Sequence, residues 1–270
     1  TKEKIDFSGF ACIAIAIMTF FGGIFLGQES GFGSLQSYLL FIIAVIALGL
    51  FIMVERKRKS PLIKFAIFKN KIFTLSLLSA VLIFASNFFV NVVIPFYLQD
   101  ARKLSASYAG LLMMVFPLLM VVGAPLSGYL TDKIGPGILT FGGLLLLCCT
   151  SLMYMFLDMN SPIWYYVIAT AIMGLGNALF QSPNNTMVMS SVEKQDLGVA
   201  GSMNSFARNL GMVIGIALST TILYRGMSEA YGERVTTYLA NRPDIFIVGM
   251  RETFFVAFLL CCLLYTSDAA

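Results

Sequence analysis

The sequence predicts an all-α membrane protein, a bundle of helices that crosses the bilayer several times. Of its 270 residues, 58% are hydrophobic and only 12% are charged, whereas soluble domains carry about 25% charged residues. The charges are clustered, and six stretches contain none: 7–28, 30–54, 72–99, 104–131, 134–157 and 159–192. Each stretch exceeds the roughly 18 to 20 apolar residues with which a helix spans a bilayer core. Transmembrane β-strands alternate over about ten residues, so uninterrupted runs of this length predict helices.

Seven complete spans and one incomplete span follow from this pattern. In order, they are expected near 8–27, 35–54, 72–98, 106–131, 138–157, 163–192 and 199–224, with an eighth starting near 253. The first six lie within the charge-free stretches, and the seventh is interrupted by a single charge, Arg208. The eighth begins after Arg251 and Glu252 and becomes polar at Thr266. Its apolar part is about a dozen residues long, which is too short to cross.

Segment 55–71 divides the chain into a hairpin of two spans, 1–54, and a bundle of six helices, 72–264. The segment holds seven basic residues in seventeen, together with a proline. Its apolar residues at 62–68, set among lysines, suit an amphipathic helix at an anionic membrane surface. A solvated linker is an equal alternative, because basic residues next to membrane spans also set orientation.

The distribution of lysine and arginine predicts the orientation in the membrane. If the first span runs outward, the cytoplasmic loops hold eleven basic residues and the short outer loops hold two. The longer loop 225–252 adds four arginines outside, but four acidic residues accompany them, and longer loops weigh less in this rule. Both ends of the chain are therefore expected in the cytoplasm, and the protein in the inner or plasma membrane.

Both ends are also expected to be truncated. Residues 1–6 begin without an initiator methionine and look like the tail of a loop that leads into a span. At the other end, 265–270 resemble translated adapter sequence and are expected to be a non-native tail.

The composition disfavours metal, catalytic and nucleic-acid sites. Histidine is absent, and no acidic residue occurs in the six charge-free stretches, so neither zinc nor a carboxylate-bound metal has its usual ligands there. The same lack leaves no nucleophile, base and orienting group for an enzyme. The cysteines read as apolar packing residues: Cys12, Cys148, Cys149, Cys261 and Cys262. The net charge of +4 comes from a cluster between spans, which membrane orientation explains better than nucleic-acid binding.

Amide side chains mark one face of the sixth predicted span. Asn177, Gln181, Asn184 and Asn185 follow at offsets of four, seven and eight, which places them on one helical stripe. They suit the wall of a polar cavity, and the alternative is bonding between helices, worth roughly 0.6 to 2 kcal/mol per bond. The third span repeats the pattern with Asn87 and Asn91. The predicted cavity residues are Asn87, Asn91, Asn177, Gln181 and Asn184.

Arg208 is the one charge within the seventh predicted span. An ionisable residue inside the membrane is a functional hypothesis by default. Its depth depends on the helix boundary. A helix entering the membrane at Val199 places Arg208 near the midplane, and one whose last apolar turn ends at Tyr224 lets it reach the cytoplasmic interface. Gly211 and Gly215 follow at a spacing typical of close helix packing.

The loop after the fourth span carries a family signature, Gly-x-x-x-Asp-Lys-x-Gly, formed by Gly128, Asp132, Lys133 and Gly135. The pattern resembles the loop signature of the major facilitator superfamily. Asn204-x-x-x-Arg208-x-x-Gly211, Pro95 at the end of the third span and Gly174-x-Gly176 strengthen the resemblance. Together they are similar to the C-terminal portion of the fourteen-helix drug:proton antiporters, over residues 1–261.

The resemblance implies a transporter that exports small amphipathic, cationic or drug-like compounds in exchange for protons. Alternating access would occur between this bundle and a missing N-terminal half, within membrane lipid and without a cofactor. Asp132 and Lys133 would form part of an inner gate, although Pro136 and Gly137 stand where the family has a second basic residue. With no carboxylate expected in the spans of the six-helix bundle, the proton-coupling acid is expected in the N-terminal half.

Three alternatives remain at this point. One is a transporter of a single metabolite with the same fold. The others are a membrane-embedded enzyme, which lacks the necessary residues, and a static scaffold, which leaves the amide stripe without a role.

Overall fold

The fold is an assembly of long helices. The computed structural model describes residues 7–30, 34–56 and 65–268, and no strand occurs among them. The α-helices are α1 (Phe7–Ser30), α2 (Leu35–Arg56), α3 (Lys71–Pro95), α4 (Ala106–Met113), α5 (Val115–Ile134), α6 (Pro136–Met155), α7 (Ile163–Ser190), α8 (Leu197–Tyr231) and α9 (Pro243–Asp268). Eight helical stretches of the described chain are long and apolar enough to cross a membrane. The predicted all-α, polytopic fold is confirmed, and the chain is a multi-pass membrane protein.

The chain divides into two compact units, 1–69 and 70–270. In the first unit α1 and α2 pack against each other, with the rings of Phe20 and Phe41 edge to face at 6.0 Å. A short 3₁₀-helix, Phe65–Lys69, ends this unit. The amphipathic helix predicted over 62–68 falls partly on 57–64, which lie outside the described residues.

Capping residues set several helix boundaries in the second unit. The side chain of Asn70 accepts hydrogen bonds from the backbone N–H groups of Ile72 and Phe73 and so begins α3. Ser105 caps α4 in the same way through the N–H of Tyr108. Between α5 and α6, Gly135 has φ of +86°, a conformation that favours glycine. Pro136 then occupies the first turn of α6, where a missing N–H is tolerated.

Proline explains two irregularities. Pro117 has no N–H to donate to the carbonyl of Met113, and the helix is interrupted there. α4 ends at Met113 and α5 starts at Val115. After Pro95, α3 continues as a π-helical turn, Phe96–Ala101.

Hydrogen bonds tie α3 to the neighbourhood of α7 at both ends. We call the end that holds loop 156–162 the Asp158 end, and the end that holds loop 191–196 the Lys194 end. At the Lys194 end, Nδ2 of Asn70 donates to the carbonyl oxygen of Ser191 at 2.8 Å. At the Asp158 end, the Tyr97 hydroxyl donates to the carbonyl oxygen of Asp158 at 2.7 Å, and Nη1 of Arg102 donates to that of Ser161 at 2.6 Å.

The core of the second unit lies among α3, α6, α7 and α9. Its largest buried side chains include Phe89, Tyr154, Phe180 and Phe254. The rings of Tyr154 and Phe254 stack at 5.2 Å, which joins α6 to α9. The Tyr154 hydroxyl lies 2.8 Å from the Thr170 hydroxyl, so this buried polar group is paired.

The predicted start of the eighth span near 253 is wrong, because α9 begins at Pro243. Its first turns continue the core through the buried Ile245, Phe246 and Met250, while Arg251 and Glu252 are exposed on another face. The prediction equated the start of the apolar run with the start of the helix. Pro243–Leu264 is long and apolar enough to span a membrane. The prediction that the spans of the six-helix bundle contain no carboxylate is also wrong, since Glu252 lies within this stretch.

Polar contacts order the α6–α7 loop at the Asp158 end. The backbone N–H of Asn160 donates to the Asp158 carboxylate at 2.8 Å, and this bond, ahead of that from the Ser161 hydroxyl, lowers the pKa of Asp158. The charge of Arg251 also lowers this pKa, so the first turns of α9 lie near the α6–α7 loop.

Candidate functional site on helices α3, α7 and α8

A reciprocal pair of amides joins α3 to α7. Asn87 Nδ2 donates to Asn177 Oδ1 at 2.5 Å, and Asn177 Nδ2 donates back to Asn87 Oδ1 at 3.0 Å. Both side chains are buried. Two further amides extend the network: Nε2 of the half-buried Gln181 donates to Asn177 Oδ1 at 3.2 Å, and Nδ2 of the exposed Asn91 donates to the backbone carbonyl of Asn87 at 3.1 Å.

Asn184 makes a second link between the same helices. Its Nδ2 donates to the backbone carbonyl of Ser76 at 3.2 Å, and the side chain is buried. Among the five predicted cavity residues, Asn87, Asn177 and Asn184 thus bond between helices, whereas Gln181 and Asn91 reach an accessible surface. Bonding between helices does not decide whether the network also borders a cavity. The assignment of these residues to a cavity stays a prediction.

A second polar cluster joins α7 to α8. Asn185 Oδ1 accepts one bond from Asn204 Nδ2 at 2.8 Å and another from Arg208 Nη2 at 2.9 Å. The guanidinium carbon of Arg208 lies 5.8 Å from the ring centroid of Phe84, within the range of a cation–π contact. Asn204 is buried, while Asn185 and Arg208 are half-buried. The residue set predicted for the cavity omits Asn185 and Asn204. Helical spacing could have indicated both residues, because Asn185 follows Asn177 by eight positions and Asn204 precedes Arg208 by four.

Arg208 lies far from either end of its helix. It follows Leu197, the first residue of α8, by eleven residues, or about 16 Å of helix. Its neighbour Phe84 follows Lys71 at the start of α3 by thirteen residues, or about 20 Å. A bilayer core is about 30 Å thick. α8 has 35 residues, or about 52 Å of helix, so it is longer than this core and both depths that the sequence allowed stay open.

Close packing of α8 on α3 places these groups on one surface. A Cβ at Gly211 would meet the carbonyl oxygen of Val81, and one at Gly215 would meet that of Ala85. Phe84, Phe88 and Asn91 follow on one face of α3, Gln181 and Asn185 follow on one face of α7, and Arg208 of α8 contacts Phe84 and Asn185. All six are half-buried or exposed, and we call them the polar wall. The wall offers amide donors and acceptors, aromatic faces and one positive charge, a combination suited to an amphipathic molecule.

The loop signature begins within α5 and ends in the turn that leads to α6. Gly128 is close to the Ser182 hydroxyl of α7, Gly135 provides the turn, and Asp132 is exposed. The ammonium of Lys133 lies 4.5 Å from the ring centroid of Tyr129, so it makes a cation–π contact on its own helix. The role of these residues in a gate stays a prediction.

Comparison with known proteins decides the family. Residues 7–216 match the family model described as Major Facilitator Superfamily. The chain belongs to the major facilitator superfamily. It therefore belongs to a family of transporters rather than enzymes, as the loop signature predicted.

Several transporters of the superfamily resemble the chain. The riboflavin transporter RibZ of Clostridioides difficile is 28% identical over 220 residues, which are 82% of this chain and 47% of RibZ. The multidrug transporter protein MdtP of Bacillus subtilis is 27% identical over 89% of this chain and 44% of its own length. The uncharacterized transporter YebQ of Escherichia coli is 33% identical over 74% of this chain and 45% of its own length. The chain thus resembles the multidrug branch and spans about half the length of these curated relatives.

Proposed function

We propose that the chain is part of a transporter that exports small amphipathic, drug-like compounds across the cell membrane in exchange for protons. The polar wall carries this proposal, as one side of the solute cavity. Polar groups in the middle of membrane helices are costly unless they face protein or a water-filled space. Gln181, Asn91 and Arg208 are accessible on this surface, so a cavity explains them. The similarity to MdtP supports the drug-like solute.

The wall needs a second surface to enclose a solute. Since the relatives are about twice as long as this chain, we propose that another half of the same transporter supplies it. Rocking of the two halves around the solute would give alternating access. We place both ends of this chain in the cytoplasm, as its basic loops predict. The stretches 72–99, 163–190 and 197–224 contain no carboxylate. Glu252 of α9 lies outside the polar wall, so we assign proton coupling to an acid in the other half.

A specific metabolite transporter is the second candidate. The similarity to RibZ favours it, because RibZ is named for riboflavin, a single aromatic and polar solute. The aromatic and amide groups of the wall would suit such a compound equally well. A transport screen separates the two candidates: export of several unrelated amphipathic compounds supports the first, and transport of one compound class alone supports the second.

Replacing Gln181 with leucine tests the wall directly. Gln181 makes one hydrogen bond of 3.2 Å and is half-buried, so its loss is expected to change stability by less than about 1 kcal/mol. Relative export of charged and neutral compounds should nevertheless shift, because a polar group of the cavity is lost. Both quantities are measured on one purified variant of the complete transporter in proteoliposomes.

The matched control for this variant is Gln195→Leu, which removes an exposed amide bonded to Glu193 outside the wall. The control is expected to keep both stability and substrate profile. A clear loss of stability in Gln181→Leu with an unchanged profile would return Gln181 to a packing role.

Replacing Asp132 with asparagine tests the gate. Asp132 lies at the α5–α6 junction and outside the wall, so turnover is expected to fall several-fold while solute binding stays near normal. Transport is measured in proteoliposomes and binding by equilibrium titration. Asp158→Asn, at the opposite end of the bundle, is the matched control. Lost binding with normal turnover at saturating solute would contradict the gate assignment.

A further inference from the structure

We propose that Arg208 binds a negatively charged group, a carboxylate or similar organic anion, on the transported solute. The proposal rests on the proposed function, because it places the solute on the polar wall. It also narrows that function, since the resemblance alone implied cationic or drug-like compounds. A positive charge on the wall favours amphipathic anions instead.

The hydrogen-bonding groups of Arg208 are mostly unused. A guanidinium carries five N–H donors, and the described residues accept one bond from it, at Asn185 Oδ1. Among the described residues, no carboxylate lies within ion-pair distance of Arg208. The sequence makes the same point, because the stretches 72–99, 163–190 and 197–224, which include all wall residues, contain no aspartate or glutamate. The charge therefore lacks a counter-ion in this part of the protein.

The surroundings of Arg208 hold its guanidinium in place without neutralising it. Asn185 Oδ1 on α7 accepts the hydrogen bond from Arg208. Asn204 Nδ2 on α8 donates to the same oxygen, so α7 and α8 together fix the position of this acceptor. The ring of Phe84 lies beside the guanidinium at 5.8 Å. A charge in the middle of a membrane helix is costly, and such charges usually pair with another group. A charge kept in place but left unpaired is suited to a ligand.

The chemistry of the ligand follows from the neighbours. A planar guanidinium can give two parallel N–H bonds to one carboxylate, which makes it selective for that geometry. Phe84 lies beside it, and Phe88 follows one turn further along α3; both are half-buried and offer apolar surface to the rest of the molecule. An aromatic compound with one carboxylate satisfies both features.

Two fluorescent probes that differ only in charge test the proposal: dansylglycine, an anion, and dansylglycinamide, its neutral counterpart. Their affinities are measured by fluorescence titration with the purified protein in lipid nanodiscs. Dansylglycine is expected to bind roughly tenfold more tightly, the effect of one charge-assisted bond pair. Arg208→Gln should remove this difference by weakening the anion alone. Arg208→Lys should reduce it several-fold, because the charge remains without the fork geometry. Arg225→Gln removes an exposed charge paired with Glu229 and should keep the wild-type ratio.

The outcomes separate this inference from the proposed function. Equal affinity of the wild-type protein for both probes would overturn the anion site and leave an amphipathic cavity intact. Failure to bind either probe would overturn both proposals. If Arg208→Gln does not fold, Arg208→Lys decides, and an unchanged ratio in that variant would also overturn the anion site.

Discussion

Replacing Gly211 with valine is expected to lower the free energy of unfolding by about 3 kcal/mol, the upper part of the usual range for overpacking. A side chain at this position would meet the backbone carbonyl of Val81, and its Cβ would lie 2.9 Å from the Cβ of Phe84. Neither group can rotate away, so α3 and α8 would have to separate. Stability is measured by titrating the purified protein with SDS in mixed micelles.

The matched control for this substitution is Gly142→Val in α6. Apart from its own stretch of helix backbone, no atom of the described chain lies within 4 Å of the position that a Cβ would take at Gly142, so the change in stability is expected to stay within about 1 kcal/mol. A similar loss in both variants would show that helix propensity, rather than the contact between α3 and α8, determines the effect.

Replacing Asn177 with leucine is expected to cost about 2 kcal/mol of stability. The substitution removes both bonds of the reciprocal pair and leaves the amide of Asn87 buried without its partner, a penalty of about 1 to 3 kcal/mol. Adding Asn87→Leu should then recover part of the loss, because no buried amide remains unpaired. SDS titration of both single variants and the double variant gives the coupling energy.

The double variant decides between two roles for the pair. A coupling energy near zero, with the two losses adding in full, would show that these amides do not depend on each other. Recovery in the double variant would show that the pair acts as a bond between helices.

Most of the helices could be predicted from the sequence, because charge is so costly in the membrane that the first six spans contain none. The same signal failed at α9. There, Ile245, Phe246 and Met250 are buried, whereas the nearby Arg251 and Glu252 are exposed. A helix that continues past the end of its apolar run keeps its backbone bonds, and only the packing of neighbouring helices shows that it does so.

The candidate site was predictable in residue type but not in pairing. Asn177 and Gln181 stood out because amides are rare in apolar helices. Their partner Asn87 is 90 residues from Asn177 in the chain, and no local pattern indicates which faces of two helices meet. Asn185 illustrates the limit, since its position on the amide stripe did not indicate that it holds Arg208.

The bonds between α3 and the α7 region are spaced like the rungs of a ladder. They run from Asn70–Ser191 at the Lys194 end, through Ser76–Asn184 and Asn87–Asn177, to Tyr97–Asp158 at the other end. Sliding of α3 along α7 by even one residue would break every rung at once. Shear between these two helices is therefore a poor way to open a path for a solute. We expect α3 and α7 to tilt together as one rigid unit. A path for the solute must then open between this unit and other helices.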